Sequence, residues 1–255
     1  MTIRGTIAAV AIAFAMMGAN AASAASTLNI QYFDIANSGS NVSNSVHTDF
    51  GICCSTGDGA SFEGNLAGTS LLGGLPVVGT GSTIWDVSGS GQILWWTQGT
   101  MDQGYTITAT SSGIVSVPFS STMYAPNSTG LNNNSLFETA ILYGNLIGNG
   151  SNATISITSD DDALVYVNGQ YVGGNPGVHS SQTTNIDLGI LNGTNSLAIF
   201  YADRAHVQAD LALTIRGAVT SAVPEPATWA MFIIGFGSIG LMMRAARRKG
   251  AVATA

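Results

Sequence analysis

Three consecutive aspartates, Asp160, Asp161 and Asp162, form the densest run of negative charge in the chain. Adjacent carboxylates repel one another unless a cation or hydrogen-bond donors neutralise them. The run therefore indicates either a Ca²⁺ site or a turn whose aspartates accept backbone hydrogen bonds, and the residues alone leave both open. An EF-hand loop is excluded because Leu164 and Tyr166 stand where oxygen ligands are needed. Adjacency also fails to provide the separated carboxylate pair of a glycoside hydrolase.

Other candidate residues are weaker. Asp203, Arg204 and His206 lie close enough in sequence to form a polar site, although an Asp–Arg pair is more typical of structural contacts. None of the three histidines has the spacing of a metal motif, and the chain has no nucleophile elbow, P-loop or dinucleotide-binding loop. We therefore expect no enzymatic activity, with a secreted glycan hydrolase as the less favoured alternative.

Three tryptophans are candidates for stacking on sugar rings, namely Trp85, Trp95 and Trp96. If Trp95 and Trp96 lie in a strand, their side chains point to opposite faces, so one of them belongs to the core. For most of these aromatic residues a core position is favoured over a sugar-binding platform.

The elements that would position these residues are short strands. Apolar and polar residues alternate from Leu28 to Tyr32, from Tyr105 to Ala109, from Thr154 to Thr158 and from Leu211 to Ile215. This period of two is typical of half-buried strands, and Asn168-Gly169 between two such runs predicts a hairpin. Residues 25–222 are accordingly predicted to form one all-β domain, an antiparallel β-sandwich of jelly-roll-like type.

Composition excludes several protein classes. The 255 residues include 32 glycines, 45% hydrophobic residues and only 8% charged residues, with a formal net charge of −7. A nucleic-acid-binding protein needs a basic surface, and a coiled coil needs many Glu and Lys residues, so both are excluded.

The N-terminus has the pattern of an export signal. Arg4 precedes an apolar run from Ile7 to Met17, and Ala22-Ser23-Ala24 provides a cleavage site for signal peptidase. Residues 1–24 are therefore predicted to be a signal peptide. Export permits oxidation of the adjacent Cys53 and Cys54, for which a vicinal disulfide, free thiols and intermolecular bridges all stay open.

The C-terminus combines a Pro224-Glu225-Pro226 motif, an apolar run from Ala227 to Met243 and a basic end from Arg244 to Lys249. The apolar run is about 25 Å long as a helix, at the short end for a membrane span. Residues 223–249, before a tail at 250–255, resemble the PEP-CTERM sorting signal. The resemblance implies recognition by an exosortase, a transient tether to the inner membrane, and delivery to the cell surface or extracellular matrix of a Gram-negative bacterium.

Most of the positive charge lies in these two terminal segments. Only Arg204 and Arg216 remain in the body against thirteen acidic residues, which gives it a formal charge of −11. A surface this acidic would bind other anions through bridging divalent cations.

The segment Ser159–Gly169 resembles the central motif of fibro-slime domains and is similar to the wider protective-antigen-type β-sandwich of fungal flocculins. Gly177-Val178-His179 and Phe200–His206 also resemble fibro-slime elements, as does Val46–Phe50 upstream. In the flocculin relatives two consecutive aspartates of this loop bind Ca²⁺, which binds sugar hydroxyls in turn.

The resemblance assigns the Ca²⁺ ligands to Asp160, Asp161 and Asp203, and places Asp162, Arg204 and His206 at the ligand-binding loop face. The expected function is adhesion or association with exopolysaccharide or a surface glycan, without catalysis. A Ca²⁺-dependent lectin module is the main alternative, and a structural coat component without a ligand is a further one.

Overall fold

The structure is a computed structural model that describes residues 26–37, 49–50, 70–79, 84–101, 105–124, 136–205 and 208–222. The predicted signal peptide, Cys53 and Cys54, His47, His206 and the predicted sorting segment lie outside these residues. No helix in the described ranges is long and apolar enough to cross a membrane.

The described chain is all-β, and every pairing between its strands is antiparallel. Its strands are β1 (Thr27–Asn37), β2 (Gly99–Thr100), β3 (Tyr105–Ser116), β4 (Phe119–Thr122), β5 (Leu136–Asp160), β6 (Asp162–Val167), β7 (Gln170–Asn175), β8 (Gln182–Ala202), β9 (Asp210–Arg216) and β10 (Ala218–Ser221).

Two long strands, β5 and β8, connect two layers of one curled sheet. The first half of β5 pairs with β1 and with the end of β8, and the sheet continues through β6 to β7. The second half of β5 pairs with the start of β8 and with β9, which pairs with β4. The predicted antiparallel all-β fold is therefore confirmed, with the two layers formed by one continuous sheet.

The main hydrophobic core lies between the two layers. It joins Leu28 and Ile30 of β1 to Ile155 and Ile157 of β5 and to Leu211 of β9, all of them buried. These are the apolar positions of the alternating runs, so burial of one strand face explains their period of two.

A second core covers the opposite face of the β1 layer. It contains Phe33, Ile35, Leu164 and Phe200 from the strands, together with side chains of the irregular segment before β2. Trp95 and Trp96 both belong to this core, at 0% and 2% exposure. The core position favoured for most of the tryptophans is confirmed for both, and they lie in a turn, where strand alternation does not send them to opposite faces.

The predicted hairpin at Asn168-Gly169 is present between β6 and β7. Both residues have positive φ, at 52° and 74°, which is the backbone that a two-residue hairpin turn requires. This turn fixes the register of β6, whose other end carries the aspartate run.

Candidate functional site

The aspartate run lies where β5 ends and β6 begins, and the Asp161 carboxylate accepts hydrogen bonds from three loop residues. Its Oδ1 accepts a hydrogen bond from the His179 backbone N–H at 2.9 Å. Its Oδ2 accepts from the backbone N–H groups of Arg204 at 2.9 Å and Ala205 at 2.8 Å. Asp161 thus holds the loop after β7 and the loop after β8 against the same corner of the sandwich.

Asp160 lies at the same corner with fewer protein donors. Its Oδ2 accepts from the Ser181 backbone N–H at 3.0 Å, and its carbonyl accepts from the Tyr201 hydroxyl at 2.6 Å. The peptide bond between Asp160 and Asp161 is cis. The corner therefore contains two adjacent carboxylates whose direct donors are backbone N–H groups.

Asp162 instead forms a buried ion pair with Arg204, which also sits against the second core. Arg204 Nη1 lies 3.5 Å from Asp162 Oδ2, its Nε donates to the Asp49 carbonyl at 2.7 Å, and its guanidinium carbon lies 5.0 Å from the Trp95 ring centroid. The two charged side chains are 0–1% exposed. Neither charge faces solvent, and contact of Asp162 and Arg204 with a ligand stays a prediction.

Asp49 links this ion pair to the segment that carries Trp85. Its carboxylate accepts from the backbone N–H groups of Trp85 and Asp86 and from Trp95 Nε1, at 3.0 to 3.2 Å. Of the three candidate tryptophans, Trp85 is the exposed one, at 57%.

Asp203 is buried beside these groups, and its Oδ1 has no hydrogen-bond partner within the described ranges. Its backbone N–H donates to the Glu138 carbonyl at 3.0 Å. Burial, followed by the nearby charge of Asp161, raises the pKa of the Asp203 carboxyl well above its ordinary value. Sequence proximity suggested that Asp203 would pair with Arg204, but the guanidinium is directed to Asp162.

The pKa values of the other site carboxyls are also raised. Burial, and then the charge of Asp162, raises the pKa of Asp161 to about 7. Burial and Asp210 raise the pKa of Asp160. Burial raises the pKa of Asp162 despite the opposing effect of Arg204. Burial is the largest cause in each case, so these carboxyls hold their protons to a higher pH than exposed aspartates do.

Glu138 is a buried carboxyl that sequence reasoning missed. It lies opposite Asp34 in the β1–β5 register, and burial together with Asp34 raises its pKa to about 8. A signal was available in the sequence, since Glu138 shares its strand face with the buried Ala140 and Leu142.

His179 is the histidine that the described ranges contain. His179 places its backbone N–H on Asp161, while its ring Nδ1 and Nε2 lie near the carbonyls of Ser180 and Asn175. In the part of the chain that the structure describes, no three His, Cys, Asp or Glu side chains form a ready-made metal cluster.

Comparison with known proteins identifies the C-terminal segment. Residues 222–249 match the PEP-CTERM protein-sorting motif. The chain therefore carries the sorting signal predicted on Pro224, Glu225 and Pro226, which marks an exported protein that an exosortase sorts to the cell surface. No curated protein matches the chain.

Solved structures show weaker likenesses. The PA14 sugar-binding domain of an RTX adhesin is 22% identical, with 38% of this chain and 68% of that chain covered and a TM-score of 0.31. The PA14 domain of the antifreeze protein MpAFP is 13% identical, with 42% and 72% covered and a TM-score of 0.33. An α-xylosidase from Xanthomonas citri is 14% identical, with 44% and 14% covered and a TM-score of 0.33. These TM-scores are below 0.5, so they do not establish a shared fold.

Proposed function

We propose that this exported protein works at the cell surface or in the exopolysaccharide matrix, where it associates with glycans without catalysing a reaction. Binding takes place at the acidic corner formed by Asp160, Asp161 and the loops that Asp161 ties together. The observation that carries the proposal is the buried Asp203 carboxylate, one oxygen of which has no hydrogen-bond partner in the described ranges, close to the charges of Asp160 and Asp161.

The arginine nearest to this corner is already engaged. Arg204 is buried against Asp162, so its charge does not neutralise Asp160 or Asp203. Carboxylates that raise one another's pKa bind a divalent cation at the expense of their protons. The donor set consists of oxygens only, which suits Ca²⁺.

Asp160, Asp161 and Asp203 are the residues that would hold Ca²⁺. Asp203 has a buried, unpartnered oxygen, and Asp161 Oδ1 accepts a single N–H, which leaves a second lone pair. Bound Ca²⁺ takes about six to eight oxygens, so water or sugar hydroxyls must complete the shell. Backbone N–H groups of the neighbouring loops fix the carboxylates of Asp160 and Asp161.

Calorimetric titration of the exported protein with Ca²⁺ tests this site. Asp160→Asn is the informative variant, because Asp161 supports two loops and its replacement would disturb their backbone. We expect heat of binding from the native protein, little from Asp160→Asn, and a native signal from the control Asp187→Asn on the sheet face. Absence of heat from the native protein would leave Asp160–Asp162 as a purely structural turn.

A glycan array with and without chelator then tests the function. Binding to a glycan that is lost in chelator supports the lectin form of the proposal. Binding that is unchanged in chelator supports glycan association without the metal. Binding of no glycan under either condition would favour a structural coat component. Release of reducing sugar from exopolysaccharide would contradict the non-enzymatic assignment.

A further inference from the structure

A polar groove of about 280 Å³ lies on the outer face of the β9 layer, away from the acidic corner. Its walls come from β5, β8 and β9, and its lining residues are Thr154, Ser156, Asn185, Thr214 and Arg216. The volume is just below the range of pockets that hold drug-sized ligands, which suits a ligand of about one sugar residue.

Strand register places these side chains side by side. Thr154 lies opposite Arg216, and Ser156 lies opposite Thr214 on one side and Asn185 on the other. The residues between them, such as Ile155 and Leu213, point inward into the main core. The groove is therefore built on a rigid sheet rather than on loops, which limits the entropy lost when a ligand is bound.

The hydrogen-bonding capacity of the groove is unused by the protein. Across the described chain, no hydrogen bond or ion pair engages the side chains that line it. Three hydroxyls, one amide and one guanidinium thus face the same space and offer both donors and acceptors. A sugar ring presents hydroxyls of the matching kind.

Arg216 gives the groove its charge preference. The described residues contain two basic side chains, and Arg204 is buried in its ion pair, so Arg216 is the one exposed cation among them. The following Gly217 has a φ of +73°, and a Cβ there would lie 2.0 Å from the Asn152 carbonyl oxygen. This turn permits no side chain and fixes where the strand carrying Arg216 ends.

We infer that this groove binds a sugar residue that bears a carboxylate, such as a uronic acid within an exopolysaccharide. The guanidinium pairs with the carboxylate through two parallel N–H donors, and the hydroxyl and amide groups bind the ring hydroxyls. Asp187 lies across β5 from Arg216, about 10 Å away at two strand spacings, so closely spaced anionic sugars are disfavoured.

The groove is separate from the acidic corner. Thr154 and Asp160 are six residues apart on β5, which corresponds to about 20 Å along the strand. The inference shares only its ligand class with the proposed function and requires no Ca²⁺.

The test compares two trisaccharides that differ only in a terminal glucuronate or glucose, titrated into the exported protein in the presence of chelator. We expect the glucuronate form to bind more tightly, and Arg216→Gln to weaken its binding about tenfold or more. Arg216→Lys should retain an intermediate affinity, because the positive charge remains while the two parallel N–H donors of the guanidinium are lost. Equal affinity for the two trisaccharides, or no change in Arg216→Gln, would overturn the inference, as would absence of binding.

Control variants separate this site from folding and from the acidic corner. Thr214→Val keeps the shape of its side chain and removes one hydroxyl, so it should weaken binding a few-fold. Asp187→Asn should bind glucuronate at least as well as the native protein. Asp160→Asn should retain glucuronate binding and lose the heat of Ca²⁺ binding. Arg216→Gln should lose glucuronate binding and retain the heat of Ca²⁺ binding. Loss of glucuronate binding in Asp160→Asn would contradict a separate groove.

Discussion

Glu138 provides a direct test of how buried charge affects the stability of this sandwich. Its side chain is 4% exposed, lies opposite Asp34 across the β1–β5 pair, and has a pKa raised to about 8 by burial and by Asp34. Between the ordinary value of 4.5 and about 8, the folded protein holds a proton that the unfolded chain has released. The stability therefore falls as pH rises through this interval and levels off above it.

The size of the effect follows from the two pKa values. Each pH unit is worth about 1.36 kcal/mol, so the interval corresponds to an upper limit of about 5 kcal/mol. Asp161, whose pKa is raised to about 7, adds to the same trend. Glu138→Gln mimics the protonated carboxyl, so the variant should resemble the native protein near pH 5 and gain up to about 5 kcal/mol over it near pH 8.5.

Urea unfolding of both proteins between pH 5 and pH 8.5, in chelator, measures this difference. Asp187→Asn serves as the control, because it removes an exposed carboxyl on β8, outside the Asp34–Glu138 pair. Parallel pH profiles for the native protein and Glu138→Gln would refute the reasoning, as would a native stability that rises with pH over this range.

Two further predictions concern the ion pair and sorting. Arg204→Met should lower the free energy of unfolding by about 3–5 kcal/mol because it removes the counter-charge of the buried Asp162. Arg204→Met/Asp162→Leu should recover part of this loss, the remainder reflecting the Gly177 N–H that loses its acceptor. A double variant as unstable as the single one, by urea unfolding, would contradict the pairing. Deletion of Pro224–Pro226 should leave the protein in the inner membrane, as measured by cell fractionation, and normal surface delivery of the deleted protein would contradict a role for the motif.

The strands and the hairpin were predictable because local rules act on neighbouring residues. Burial of one strand face imposes a period of two, which is visible at Ile155 and Ile157 and again at Leu211 and Leu213. The Asn168-Gly169 turn was predictable because positive φ favours Gly and Asn. Alternation does not describe Trp95 and Trp96, which lie in a turn and are both buried.

The partners of the charged residues were not predictable in the same way. Arg204 follows Asp203 in the chain, yet it pairs with Asp162, because the β6–β8 register aligns Asp162 with Ala202. Glu138 lies opposite Asp34 through the β1–β5 register. Such contacts cannot be predicted from neighbouring residues in the sequence, since they depend on which strands pair and in which register.

The sequence by itself determined the C-terminal sorting motif, the all-β class and the position of the aspartate run, because each depends on composition, periodicity or a short contiguous motif. The tertiary structure decided which carboxylates share the acidic corner, that Arg204 is buried with Asp162, and that Arg216 faces a polar groove. These features depend on register between distant strands and on burial, and both are set by the packing of the whole sheet.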